Sequence, residues 1–259
     1  MSEGQAPGSR VSTQDYSLTR RGPTPWRLSV PRGERQQQCL LWVNGWSTAM
    51  DDRARLLERL CSRLGIATAT LDVAGHGRST VGSLGRSIPL QQLAEVEAVH
   101  DELVDRGYDK VIVGGESFGA YLAALLTGTR SLAGVVLDAP GPCLDADLIL
   151  PADKTGYSRD PEGYVSEASR PQALRSNAAT RALRAFRGSV HVVEHEFDEI
   201  VPATVPRHYA RSAPHGNLLL ARGLPHSACT TPAHQALLED ILASLVETVL
   251  DPEAASSYP

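Results

Sequence analysis

The chain has 259 residues, 42% of them hydrophobic and 21% charged, with a formal net charge of −5. That apolar share suits one folded domain, and the acidic balance argues against a nucleic-acid-binding protein, which carries a basic footprint. No run approaches the roughly 18 apolar residues of a membrane-spanning helix, and Cys39, Cys61, Cys143 and Cys229 have neither zinc-ligand nor redox spacing.

Residues 1–22 are polar and Gly/Ser-rich, lack the apolar stretch of a signal peptide, and read as a flexible N-terminal segment. With the cysteine usage this predicts a cytoplasmic protein holding reduced thiols. From 23 to 251 strand-like and helix-like patterns alternate. Trp26, Leu28 and Val30 alternate with polar neighbours, as in a half-buried strand near a sheet edge. Cys39 to Val43 is a short apolar run ending at Asn44-Gly45. Asp51 to Leu64 has leucines at helical spacing and stops at Gly65. Ile66 to Val73 is a second buried strand, Pro89 to Asp105 a helix, and Lys110 to Val113 a third strand, which runs into Gly115-Glu116-Ser117-Phe118-Gly119 and a helix over 120–127. Leu132 to Leu137, Ser189 to Val193 and Asn217 to Ala221 complete the strands. A helix over Ala233 to Leu250 precedes a polar tail at 252–259. The stretch 142–187 breaks the alternation with prolines, glycines and few apolar residues, and reads as a short lid insertion. Strands in such an order form a mostly parallel central sheet with helices on both faces, an α/β architecture whose sites lie at the strands' carboxyl ends.

The Gly-x-Ser-x-Gly sequence at 115–119 follows a strand and precedes a helix, the context in which a sharp turn projects the Ser117 hydroxyl. A Gly-rich turn with a helix-capping serine is the plainer alternative. Serine needs a base to take its proton. His226 follows the last strand directly, whereas His76 and His100 precede the serine, His208 and His215 precede the last strand, and His234 sits at the final helix. The base in turn needs an acid to orient it. Asp198 lies just past the penultimate strand; Asp138, Glu194, Glu196 and Glu199 are the competitors. For the oxyanion, the expected donors are the backbone N–H groups of Phe118 and of Trp46, with Asn44-Gly45 allowing an unusual turn. Gly45, Trp46, Tyr157 and Tyr164 are the candidate substrate-binding residues, and the Trp46 ring reads equally as site wall or as core packing.

Together these residues resemble the α/β-hydrolase family over about 36–250. Leu71 to Ser79 looks like the family's D-x-x-G-H-G-x-S segment, and Asp198-Glu199-Ile200-Val201-Pro202 like its acid loop. Within the family the chain is most similar to small esterases of the cinnamoyl-esterase and monoacylglycerol-lipase kind and to thioesterase-like relatives. Two departures stand out: Asn44-Gly45 where the family often has His-Gly, and Glu196 where it often has glycine, the latter expected to add negative charge near the triad. The resemblance implies a Ser117–Asp198–His226 triad that hydrolyses a carboxylic ester through an acyl-enzyme, without metal or organic cofactor. Its partner would be a small-molecule ester or thioester, and an acyl-carrier protein or coenzyme A thioester fits the same machinery. Thioester hydrolysis, acyl transfer and a receptor-like member with little turnover are the alternatives. Asp at position 117 would be expected for haloalkane dehalogenation, which is therefore disfavoured.

Overall fold

The computed structural model describes residues 10–18, 23–33 and 37–251; the expectations for 1–9, 19–22 and 252–259 lie outside them. The apolar runs become strands: Val11–Leu18 (β1), Thr24–Pro31 (β2), Gln38–Val43 (β3), Ala67–Leu71 (β4), Lys110–Glu116 (β5), Gly134–Asp138 (β6), Ser189–Phe197 (β7) and Gly216–Pro225 (β8). They form one sheet in the order β1-β2-β4-β3-β5-β6-β7-β8. β2 is antiparallel to both its neighbours, and every other pairing is parallel.

Helices occupy both faces: Met50–Leu64 (α1), Pro89–Asp105 (α2), Phe118–Leu126 (α3), Gly156–Arg159 (α4), Pro161–Ala168 (α5), Pro171–Ser176 (α6), Ala178–Ala185 (α7), Thr204–Ser212 (α8) and Pro232–Leu250 (α9). The two-residue period of a strand sorts the core into two layers. Cys39, Leu41 and Val43 pack with residues of α2, α3, α7 and α8, while Leu40 and Trp42 pack with α1 and α9. Val111 and Val113 divide from Ile112 in the same way. Burying one such side chain contributes about 1.5–3 kcal/mol, so the central strands are held from both sides and their carboxyl ends make a rigid platform.

Three expectations are corrected. Val11–Leu18 belongs to the sheet and is not part of a loose arm. It pairs with β2 along its length, Tyr16 stacks on Trp26 with ring centroids 4.6 Å apart, and Asp15 accepts from Arg27 at 2.6 Å. Its polarity is that of an edge strand with one solvated face. β2 is therefore second from the edge, with Trp26 fully buried. The insertion at 142–187 divides: α4 and α5 carry residues that line the site cavity, but α6 buries Leu174 and α7 buries Ala179 and Leu183 in the core, and both are part of the domain. Finally, β7 and β8 each run four residues past the expected ends, their pairing continuing across an irregularity between His195 and Phe197 to the pair Phe197–Pro225. Among the described residues no helix is long and apolar enough to cross a membrane.

Candidate active site

The site is assembled where β5, β7 and β8 end. β5 stops at Glu116, and Ser117 adopts φ 51° and ψ −118°, a strained conformation for a residue with a side chain. The turn closes tightly because glycines flank it. A Cβ on Gly115 would lie 2.6 Å from the Gly119 carbonyl carbon, and one on Gly119 would overlap the carbonyl oxygens of Val43 and Asn44. Two backbone hydrogen bonds of 2.9 Å hold the strained residue: Ser117 N–H donates to Asp138 O, and Gly141 N–H donates to Ser117 O. Phe118 opens α3, where a backbone N–H has no carbonyl one turn back and the helix presents its positive end.

The register of β7 and β8 brings the other two residues in. Phe197 and Pro225 are the last pair, so the next residue on each strand, Asp198 and His226, leaves the sheet side by side. His226 Nδ1 lies 2.8 Å from Asp198 Oδ2, and His226 Nε2 lies 3.0 Å from Ser117 Oγ. A carboxylate only accepts, so Nδ1 carries the hydrogen and Nε2 presents its lone pair to the serine hydroxyl. Asp198 Oδ1 accepts from Ile200 N–H at 2.9 Å and Val201 N–H at 2.7 Å. Burial works to raise the Asp198 carboxyl, but the hydrogen bond and charge of His226 and these two N–H groups outweigh it and hold it below the ordinary carboxylate value.

The competing acids are occupied elsewhere. Asp138 binds His195, Glu194 binds Arg207 at 2.6 Å, and Glu196 is exposed and accepts from Gly223 N–H at 2.9 Å. Glu199 accepts from the backbone N–H of His226 at 3.2 Å. Of the competing histidines, His100 reaches the Ser131 carbonyl and His76 that of Ala74.

The oxyanion-side loop is held differently from expectation. Asn44 is a buried anchor whose Nδ2 donates to Thr70 Oγ1 at 3.1 Å, and the left-handed residue of the turn is Ser47 at φ 63°. Gly45 gives its N–H to Glu116 Oε1 at 3.2 Å and does not line the cavity, which corrects its assignment to substrate contact. Glu116 in turn accepts three hydrogen bonds of 2.7–2.9 Å from Arg53 on α1. This clamp was not read from the sequence, because Glu116 occupies a position where the motif allows any residue.

Trp46, Ser117, Phe118, Tyr157 and Tyr164 all line one cavity of about 380 Å³. The Trp46 ring meets those of His76, Phe118 and Tyr157 edge-on at 5.4, 5.5 and 6.5 Å. Tyr157 and Tyr164 also meet edge to face at 5.8 Å, and the Tyr164 hydroxyl accepts from Leu144 N–H at 3.0 Å. Tyr164 therefore fastens the cover over the site as well as walling it. His195, missed in the sequence, sits beneath the site with Nε2 2.8 Å from Asp138 Oδ1 and Nδ1 2.8 Å from Pro225 O. Among the described residues no group of three or more His, Cys, Asp or Glu side chains is placed to hold a metal ion.

In comparison with known proteins, the model of the alpha/beta hydrolase family matches residues 40–254. A search of curated proteins finds no relative by sequence. Among solved structures, the chain is similar to Est1E from Butyrivibrio proteoclasticus with ferulic acid bound (17% identity, TM-score 0.68, 88% of this chain and 96% of that one). It is also similar to carboxyl esterase 2 from the fungus Tuber melanosporum (14%, 0.68, 96% and 89%). An esterase from Pyrobaculum calidifontis aligns at 16% identity with a TM-score of 0.63, over 92% and 85%. At such identities the likeness is one of fold.

Proposed function

This chain belongs to the alpha/beta hydrolase family, and we propose that it is a serine hydrolase cleaving a carboxylic ester through an acyl-enzyme on Ser117. The observation that carries this reading is the unbroken chain from Asp198 through His226 to Ser117, at 2.8 and 3.0 Å, on the wall of an aromatic-lined cavity. In the proposed reaction Ser117 Oγ attacks the ester carbonyl while His226 Nε2 takes its proton. Asp198 keeps the imidazole in the reactive tautomer and balances the imidazolium. The backbone N–H groups of Phe118 and Trp46 stabilise the oxyanion; Gly45 is spent on Glu116, which leaves Trp46 as the loop's donor. His226 then protonates the leaving alcohol, and water activated by the same base releases the acid.

The cavity lies at the small end of the roughly 300–1,000 Å³ of ligand pockets. Trp46, Phe118, Tyr157 and Tyr164 make it suited to a short or aromatic acyl group. The same acyl-enzyme would serve a thioester, including one on coenzyme A or a carrier protein. The test is initial rates on short-acyl nitrophenyl esters and on acyl thioesters, for wild type and Ser117→Ala. Ester turnover that vanishes in Ser117→Ala supports the reading, and a strong preference for thioesters would move the substrate class. Stoichiometric binding of an ester without turnover, by folded wild type, would contradict it and favour a receptor-like role.

A further inference from the structure

The Asp138–His195 pair is used by no step of the proposed reaction, yet it touches the backbone beside all three reacting residues. The Asp138 carbonyl accepts from Ser117 N–H at 2.9 Å, and the His195 carbonyl accepts from Asp198 N–H at 3.4 Å. The His195 ring reaches Pro225 O, the carbonyl immediately before His226. We infer that His195 is a positioning residue for His226: an imidazolium strut between the Asp138 carboxylate and the Pro225 carbonyl that fixes where the His226 loop leaves β8. The inference rests on the reading of His226 as the base.

The charge state follows from valence. A carboxylate oxygen and a carbonyl oxygen both only accept, and each lies 2.8 Å from a different ring nitrogen of His195. A neutral imidazole has one N–H and can satisfy one of them; the imidazolium satisfies both. The ring is fully buried and the Asp138 side chain is 3% exposed, so water does not substitute for either partner. Burial opposes the charge, but Asp138's charge and hydrogen bond, the Pro225 carbonyl and the more distant Asp198 outweigh it and raise His195 to about 9. The charged groups around the pair are Asp138 on β6, Asp198 after β7, Arg53 on α1, Glu116 before the serine and Cys229 after β8. Glu194, the neighbour on β7, is already paired with Arg207.

A buried ion pair is a poor device for stability, since well-packed apolar residues in its place often do as well or better. Placement is what this one offers. His226 must keep one nitrogen on Asp198 and the other on Ser117, and displacement of about 1 Å at such a site costs on the order of a hundredfold in rate.

The test compares wild type, His195→Phe and Asp138→Asn by ring ¹⁵N NMR of histidine-labelled protein and by steady-state kinetics on a nitrophenyl ester. At pH 7.5 both His195 ring N–H resonances should be present in wild type, with one lost at a midpoint near 9. His195→Phe should shift or broaden the His226 ring resonances and lower kcat tenfold to a hundredfold, with KM changed less than threefold. The Asp138→Asn amide can donate to the bare Nε2 of a neutral His195 whose Nδ1–H stays on Pro225 O, so this variant should retain most of kcat and lose the ring N–H transition near pH 9. A His195 with a single ring N–H at pH 7.5, or unchanged His226 resonances in His195→Phe, would overturn the inference. Because these resonances are read without turnover, an inactive wild type would sink the esterase reading and leave the strut to be judged on NMR.

Discussion

Arg53→Met isolates the clamp behind the oxyanion loop. In the native protein the Arg53 guanidinium and the Glu116 carboxylate are each 12% exposed at the side chain and share three hydrogen bonds of 2.7–2.9 Å, and Glu116 also holds Gly45 N–H. Removing the arginine leaves a nearly buried carboxylate with one backbone donor. Breaking a buried pair this way costs about 3–5 kcal/mol, and residual solvent access places this one near 3. For a chain of this size, at about 2–4 °C per kcal/mol, Tm should fall by roughly 6–12 °C. Differential scanning calorimetry with urea titration measures it. Arg53→Met/Glu116→Gln, which removes the stranded charge, should recover more than half of the loss. The reasoning is refuted if Arg53→Met stays within about 0.5 kcal/mol of wild type, the range of an ordinary surface change, or if the double variant is no better than the single one.

Other expectations follow from the same geometry. Asp198→Asn should lower kcat by roughly 10³–10⁴ with little change in KM, because Nδ1 loses the acceptor that sets the tautomer; His226→Ala should lose nearly as much as Ser117→Ala, since the three act as a unit. Gly119→Ala places a methyl against two fixed carbonyl oxygens and should abolish soluble expression or lower stability by more than about 3 kcal/mol, read by yield and urea midpoint. His195 is raised in the folded state, so its contribution is fully present below the unfolded value of about 6.5 and is lost as pH rises through about 9. Wild type should therefore lose up to about 3 kcal/mol more stability than Asp138→Asn between pH 6.5 and 9.5, in urea titrations at each pH.

Much of the architecture is legible in the residues alone, because parallel strands buried on both faces read as apolar runs such as Leu40-Leu41-Trp42-Val43. The order Ser117, Asp198, His226 and its placement at strand ends are legible for the same reason. Less legible is whatever depends on polar groups inside strands. Glu194-His195-Glu196 breaks the apolar pattern, so β7 reads as ending at Val193, and His195 escapes notice although it recurs four residues after His191. Asp138 then looks like a spare acid, where the structure commits it to His195. β1 is hidden because the middle of the strand, Thr13, Gln14 and Asp15, is polar, and α7 because Ala179 and Leu183 are the only apolar residues beside Thr180 on its buried face.

The central claim, that Ser117 is an activated nucleophile, is tested most directly by intact-mass analysis after treatment with a fluorophosphonate. Wild type should gain one adduct, mapped by peptide sequencing to Ser117, and the adduct should be absent from Ser117→Ala and slowed at least a hundredfold in His226→Ala. Folded wild type that takes up no adduct, or an adduct that persists in Ser117→Ala, would contradict the account.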